Sequence, residues 1–297
     1  YTKEANPFLS KDTVVQATFL RPPMGIEGVE HLSASQKLYY DSKNLSVQLY
    51  GTGFLMNSYD MVQDLYFSQT KDFTGGLKLS YRLKNYFALH GTFHTDFYER
   101  YKRHERRDVD KKVYDSKIRQ PRLTLTSQYF KKHDLILGID YFQDDLTSDR
   151  FAANRMLTRG LKEWEFFFQD TYTISPKWQV EAGLRTNYSL QFGTMALPKV
   201  ALKFSPTEAL SYRLNYAKGY RSPSIKELFF NWDHLGMFQI VGNEMLQPEK
   251  NHYFSLGAEY AVPNFFISGN AFVNQFYDKI EGVWKIYEFQ YNFEYTN

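Results

Sequence analysis

Apolar and polar residues alternate with a period of two along most of this chain, and no long apolar stretch interrupts the pattern. Leu45, Val47 and Leu49 alternate with Ser46, Gln48 and Tyr50, and Leu77, Leu79, Tyr81 and Leu83 with Lys78, Ser80 and Arg82. The pattern returns in Leu123 and Leu125, in Leu210, Tyr212 and Leu214, and in Phe254, Leu256, Ala258 and Tyr260. Successive side chains of a strand point to opposite faces, so each segment predicts a strand with one greasy and one wet side. The longest apolar runs, such as Phe166-Phe167-Phe168, fall far short of the roughly 18 to 20 residues a spanning helix needs. A helical membrane protein is excluded, and the chain reads as all-β.

The turns give the strands an order. Short polar turns are predicted at Asp41 to Asn44, Lys84-Asn85, Lys131 to Asp134, Ser175 to Lys177, Ser205 to Glu208 and Ala261 to Asn264. Each interval between them holds two strands of about ten residues plus one longer connection at the far end. Tight turns on one side and long loops on the other are the asymmetry of a transmembrane antiparallel β-barrel. Six hairpins give 12 strands, and Thr13 to Phe19 and Phe289 to Tyr295 add two, for about 14.

Composition fits this reading. The chain carries 24 Tyr and 26 Phe among 297 residues, yet its mean hydropathy is −0.53. A wall that is apolar only on the outside, ringed by aromatic girdles at both interfaces, reconciles the two. The expected girdle residues are Tyr39, Tyr40, Tyr50, Tyr81, Tyr86, Tyr129, Phe130, Tyr141, Trp164, Trp178, Tyr212, Tyr216 and Tyr260. The alternative is a soluble sandwich or propeller, including a carbohydrate-binding β-protein that uses its tyrosines as stacking platforms. No blade-length repeat supports a propeller.

Several function classes drop out. The formal charge of +3 gives no field for nucleic acid, and the absence of cysteine removes disulfides, thiolate metal sites and cysteine nucleophiles. No Gly-x-Gly-x-x-Gly, P-loop, His-Glu-x-x-His or Gly-x-Ser-x-Gly motif occurs, so no enzyme is expected. A barrel phospholipase would need Ser, His and a carboxylate or amide converging on one strand pair, and no adjacent strands offer that set. The chain opens at Tyr1 without an initiator Met or an apolar signal segment, which reads as a mature chain or a fragment.

Weaker features remain. His90 and His94 lie in an alternating strand, on the lumen side with Tyr86 and Thr92, and His133 falls in a tight turn as a solvated residue. Residues 100–119 contain nine Lys or Arg. They read either as an external basic loop that meets lipopolysaccharide phosphates or as a solvated strand extension of mixed charge. Asp144, Asp145 and Asp149 lack the Gly and terminal Glu of a calcium loop.

One stretch is more specific. Tyr216-Ala217-Lys218-Gly219-Tyr220-Arg221-Ser222-Pro223-Ser224-Ile225-Lys226-Glu227-Leu228 is followed by Gly242-Asn243-Glu244-Met245-Leu246-Gln247-Pro248-Glu249. These resemble two ordered boxes of the barrel of TonB-dependent outer-membrane receptors, with Ser222 where Ala is common and Glu244-Met245 where Pro is expected. Further strands of the same type carry the resemblance over at least residues 164–281. It implies active uptake across the outer membrane of a Gram-negative cell, through a 22-stranded barrel plugged by an N-terminal domain and energised by the TonB complex. On that reading residues 1–297 are a portion of the barrel, with the plug and final strands outside the chain. Outer-membrane lipid, lipopolysaccharide and a surface lipoprotein are the further expected partners.

Between the boxes lie Phe229, Phe230, Trp232, His234 and Phe238, much apolar matter for an external loop. Family members that import haem carry a histidine between these boxes, and His234 stands in such a place. The resemblance implies a haem receptor, with haem the transported ligand, His234 ligating its iron, the aromatic residues including Tyr220 stacking on porphyrin, and Arg221 or Lys226 pairing with propionates. The alternatives are that His234 packs within a folded-back loop, and that the cargo is a corrinoid such as cobalamin or a ferric siderophore.

Overall fold

The computed structural model describes residues 27–60, 66–104, 109–152, 155–234, 236–287 and 290–297. The strand expected at Thr13 to Phe19 lies outside them. Ten strands follow one another as hairpins: β1 (Glu27–Asp41), β2 (Leu45–Asp60), β3 (Tyr66–Lys84), β4 (Phe87–His104), β5 (Val109–Ser127), β6 (His133–Ser148), β7 (Leu157–Ser175), β8 (Trp178–Ser189), β9 (Gly193–Phe204) and β10 (Leu210–Arg221). A short helix α1 (Ile225–Phe229) and a hairpin of β11 (Asn231–His234) and β12 (Phe238–Val241) interrupt the series. It resumes with β13 (Glu249–Val262) and β14 (Phe265–Tyr277), then closes with β15 (Glu281–Tyr287) and β16 (Gln290–Thr296).

The strands form two sheets. Twelve make one antiparallel wall in the order β1 to β10, β13, β14, and the other four make a small sheet in the order β11, β12, β16, β15. All six predicted turns fall at hairpins of the wall. The twelve strands expected from six hairpins are the wall, whereas the predicted final strand is β16, which pairs parallel with β12 in the small sheet. Alternation fixes which side of a strand is apolar; it does not say which sheet the strand joins.

Register turns the alternation into a continuous surface. Leu38 faces Leu49, Leu49 faces Leu77, and Leu77 faces Phe93. Farther along, Leu125, Leu137, Phe168 and Leu184 succeed one another, and Leu202, Leu214 and Leu256 do the same. No second sheet covers this side: Leu214 and Leu256 are 53% and 57% exposed. An apolar band of this width is tolerable only against hydrocarbon, so the soluble alternatives lose their footing.

The opposite face is polar and cross-linked. Asp140 accepts from Arg122 Nε at 2.7 Å and from Gln120 at 3.1 Å, Lys199 reaches Glu181 at 2.5 Å, and Arg185 pairs with Glu165. Two expected girdle residues belong here: Tyr50 bonds His94 Nδ1 at 3.1 Å, and Tyr39 pairs in register with Gln48. Their parity along the strand, one step from Leu49 and Leu38, places them inside. His90 and His94 lie on this lumen side as expected, with Ser80 Oγ 2.9 Å from His90. His133 is not merely solvated, since its ring stacks on Tyr172 at 4.4 Å and Nδ1 lies 2.8 Å from Asp170.

Strands of 12 to 19 residues in β1 to β10 exceed the roughly 9 to 11 needed to cross hydrocarbon. The surplus projects beyond the bilayer at the end away from the tight turns. Residues 100–104 and 109–119 are such an extension, paired as β4 and β5, so among the described residues the mixed-charge strand reading holds over the loop reading. The main apolar core sits on the inner side of this end, where Leu146 and Leu161 pack with Phe151, Ile225, Leu228, Phe230, Leu246 and Ile280.

Candidate functional site

The two sequence boxes meet in space. β10 and β13 pair so that Arg221 faces Glu249 across the ladder. Arg221 donates from Nε and Nη2 to the two oxygens of Glu249, both at 2.9 Å, and from Nη1 to Glu227 at 3.0 Å. Glu249 Oε1 also accepts from the backbone of Ile280 at 2.8 Å. Pro223 and Ser224 start α1, where Ser224 and Glu227 form a reciprocal capping box that satisfies otherwise orphaned N–H groups. The Arg221 hydrogen bonds hold Glu249 below the usual carboxylate range. Burial pushes Glu227 up, but its bonds to Arg221 and Ser224 outweigh that and leave it lowered.

The second box closes the loop from the other side. Asn243 donates its N–H to the Glu227 carbonyl at 2.8 Å and its side-chain amide to the Tyr295 carbonyl at 3.1 Å. Gly242 passes so near α1 that a Cβ there would lie 2.7 to 2.8 Å from Leu228 backbone atoms. This close approach is what requires glycine.

β11 and β12, between the boxes, join β15 and β16, beyond the second box, in a four-stranded sheet with two unlike faces. Registers put Trp232 opposite Ile240, His234 opposite Phe238, Ile240 beside Phe293, Trp284 opposite Phe293 and Ile286 opposite Tyr291. One face is therefore almost wholly aromatic or aliphatic, while Asp233, Gln239, Lys285 and Asn292 share the other. Near the wall, Trp232, Ile240 and Tyr295 pack against the core. Farther out, Trp284 and Ile286 stay 59% and 67% exposed. That distal half is a ledge continuing the face that packs on the inner wall.

His234 belongs to the ledge. Its ring stacks on Phe238 at 4.7 Å and meets Trp232 edge-on at 5.1 Å, and Phe238 meets Trp284 at 4.9 Å. His234 Nδ1 and Trp232 Nε1 are both buried without a hydrogen-bond partner. The other predicted residues separate. Phe230 is in the core and Phe229 packs against it, so neither lines the ledge. Arg221 is committed to two carboxylates, Lys226 lies over the Tyr114 ring at 5.7 Å, and Tyr220 is half-buried. Leu235 lies outside the described residues.

Sequence reading missed Trp284, Ile286, Tyr291 and Arg150, whose guanidinium stacks on Trp232 at 4.2 Å. The alternation Trp284, Ile286 and Tyr291, Phe293, Tyr295 was the available signal. Nothing local tied it to a loop some 50 residues earlier. Below this level the inner wall encloses a hollow of about 720 Å³ lined by Gln120, Arg122, Glu163, Glu165, Arg185 and Lys199 among others. Among the described residues no cluster of three His, Asp or Glu is arranged to hold a metal ion.

Known proteins agree with this architecture. The siderophore receptor PirA from Pseudomonas aeruginosa superposes with a TM-score of 0.70 at 13% identity, over 91% of this chain and 51% of that one. A ferric enterobactin receptor (PfeA) mutant from the same organism gives 0.72 at 13%, over 93% and 48%. The ferric-catecholate import receptor Fiu from E. coli K12 gives 0.63 at 10%, over 90% and 53%. The chain thus spans about half the length of these receptors. No curated protein matches it. A sequence profile described as TonB dependent receptor-like, beta-barrel matches residues 28–296. Such proteins are outer-membrane transporters and not enzymes. From one edge of its wall to the last strand of its small sheet, this chain belongs to the TonB-dependent receptor β-barrel family.

Proposed function

We propose that this chain is the ligand-gathering part of a receptor that takes up an iron chelate bearing flat aromatic groups, with energy from the TonB complex. The ledge of His234, Phe238, Trp284, Ile286 and Tyr291 is the observation that carries the reading. Aromatic faces held in the open attract planar, polarisable ligands, and aromatic pairing adds about 0.5 to 1.5 kcal/mol per contact beyond area burial. A ferric siderophore of catecholate type fits best, because aromatic rings are its outer surface and the three similar receptors are a siderophore, a ferric enterobactin and a ferric-catecholate receptor by name. The ionic inner wall is the seat for a plug domain, which supplies the coupling to TonB.

Haem is the second reading, favoured by the unpartnered Nδ1 of His234 inside an aromatic cluster. Arg221 takes no part in either reading as a ligand group, since its donors are engaged. Binding to the purified full-length receptor separates the two. Ferric catecholate should quench tryptophan fluorescence in the wild type and weaken at least tenfold in Trp284→Ala, with His234→Ala close to wild type. A Soret shift with haem that is lost in His234→Ala selects haem instead. Unaltered binding of both in both variants removes the ledge from the site.

A further inference from the structure

The inner face of the wall changes character from one side to the other. From β5 to β9 it is ionic: Arg122 pairs with Asp140, Arg185 with Glu165, and Lys199 with Glu181. Three acceptors there, Asp140 Oδ1, Glu163 Oε1 and Asn187 Oδ1, are buried without a hydrogen-bond partner. Buried acceptors of this kind take donors from whatever fills the space in front of them.

β10, β13 and β14 present the opposite. Their three inward rows that begin at Asn215, Ala217 and Gly219 hold only Asn, Ser, Ala, Gly, Tyr and Phe. The polar groups satisfy one another: Asn215 donates to Ser255 at 3.0 Å and Asn251 to Asn274 at 2.6 Å, while Tyr253 stacks on Phe272 at 6.0 Å. Among the described residues, no buried side-chain nitrogen or oxygen of these three strands lacks a partner. The nearest charges stand at the two ends, Arg213 with Glu259 towards the tight turns and Arg221 with Glu249 at the outer mouth. At about 3.4 Å per residue, the run from Arg213 to Arg221 covers about 27 Å, close to the depth of the hydrocarbon layer. Two strand spacings make the stripe about 10 Å wide.

We propose that the cargo descends along this neutral stripe of β10, β13 and β14, while β5 to β9 hold the plug. The route rests on the receptor reading above and serves either chelate. The stripe begins where the cargo lands, since β10 leads into the ledge through α1 and β11, β13 returns from it, and β14 leads back to it as β15. A surface whose polar groups are already paired loses little when a neighbouring domain draws away, whereas charge-assisted bonds on β5 to β9 are the strong ones. A ferric catecholate is an anion, which cations retain and carboxylates repel. Passage needs contacts weak enough to leave, and neutral amides with aromatic faces supply them.

The test is made in cells carrying the full-length receptor, with ferric enterobactin as the probe, or haem where the wild type binds that instead. The choice between cargoes is thus made at the binding step, before the route is read. Gly257 stands at the foot of the stripe, opposite Arg213. A Cβ there would meet only Asn270 Oδ1 at 3.5 Å and the Gly269 carbonyl at 3.8 Å, so a larger side chain enters the lumen without straining the strand. Gly257→Trp should keep wild-type binding to chilled cells and lose at least tenfold in the initial rate of uptake, while Gly257→Ala keeps both. In a receptor freed of any other cysteine, Gly257→Cys should react with a maleimide at least fivefold faster during uptake than after an uncoupler is added. Gln169→Cys, inward on β7, should react equally slowly in both states. Wild-type uptake by Gly257→Trp overturns the route, and so does a Gln169→Cys that accelerates as much as Gly257→Cys. If Gly257→Trp fails to fold, the two cysteine variants decide alone.

Discussion

Replacing Arg221 by Met keeps the aliphatic stem and deletes every side-chain hydrogen bond that Arg221 makes to Glu227 and Glu249, leaving the backbone bond from Asn243 to Glu227 in place. Glu227 and Glu249, with side chains only 17% and 16% exposed, would then lose the cation they share. Hydrogen bonds to charged groups contribute about 1.5 to 3 kcal/mol each in protected sites. Arg221 is itself 44% exposed, so solvent screening reduces the total to roughly 2 to 3 kcal/mol for the whole clasp. At about 1.4 kcal/mol per factor of ten, local opening of 222–249 rises roughly 30- to 150-fold. Hydrogen–deuterium exchange in the full-length receptor reads this at the amides of Gly242, Asn243 and Ile280, all hydrogen-bonded within the clasp.

The pH dependence has a definite sign. Glu227 and Glu249 both have lowered pKa values in the folded clasp. Their stabilisation is therefore present above the ordinary Glu value and is lost as pH falls through the lowered folded values. In Arg221→Met the shared cation is gone and protonation removes the charge from two poorly exposed carboxylates, so acid should restore protection. Arg221→Lys should fall between, since an ammonium cannot serve two carboxylates bidentately. Exchange in Arg221→Met within about twofold of wild type, with the same pH trend, would refute the clasp as the element that fixes the loop.

Other positions give separate tests. Gly242→Ala drives a Cβ against the Leu228 backbone and should cost about 2 kcal/mol or more, seen as faster proteolytic nicking within 222–248. Leu214→Arg places a charge on the lipid face and should cost about 2 to 4 kcal/mol of barrel stability, read by urea titration in lipid vesicles, whereas Asn215→Arg on the neighbouring inner face should cost less. Phe230→Ala removes a core side chain that is 6% exposed and should destabilise the loop by about 3 to 5 kcal/mol, so its effect on ligand affinity should track loop order measured by exchange.

Much of the wall was legible because lipid imposes a simple rule on strands. Leu45, Val47, Leu79 and Leu256 had to share an outer face whatever their partners, and six polar turns sufficed to pair them. Orientation near the girdles was harder: Tyr39 and Tyr50 suit an interface by type, but parity turns them inward. The inter-box loop was legible in location and not in role. Phe229 and Phe230 look the same as ledge residues in sequence, yet Phe230 joins the core around Ile225 and Leu228 and Phe229 packs against it. Arg221 has the chemistry of a propionate partner, and only the register that sets Glu249 opposite it shows that it is already occupied. The parallel pairing of β12 with β16 joins segments some 50 residues apart, a contact no local pattern encodes.

These 297 residues contain no cysteine, so a cysteine scan within them puts one label at a time on the wall once any cysteine elsewhere in the receptor has been replaced. Single cysteines placed in turn from Leu210 to Tyr216, spin-labelled in the full-length receptor in lipid vesicles, report contact with dissolved oxygen, which concentrates in hydrocarbon. Labels at 210, 212, 214 and 216 should show high oxygen contact and those at 211, 213 and 215 low contact, a strict two-residue oscillation. A flat profile, or maxima at 211, 213 and 215, would mean that the apolar side of this sheet does not face the membrane.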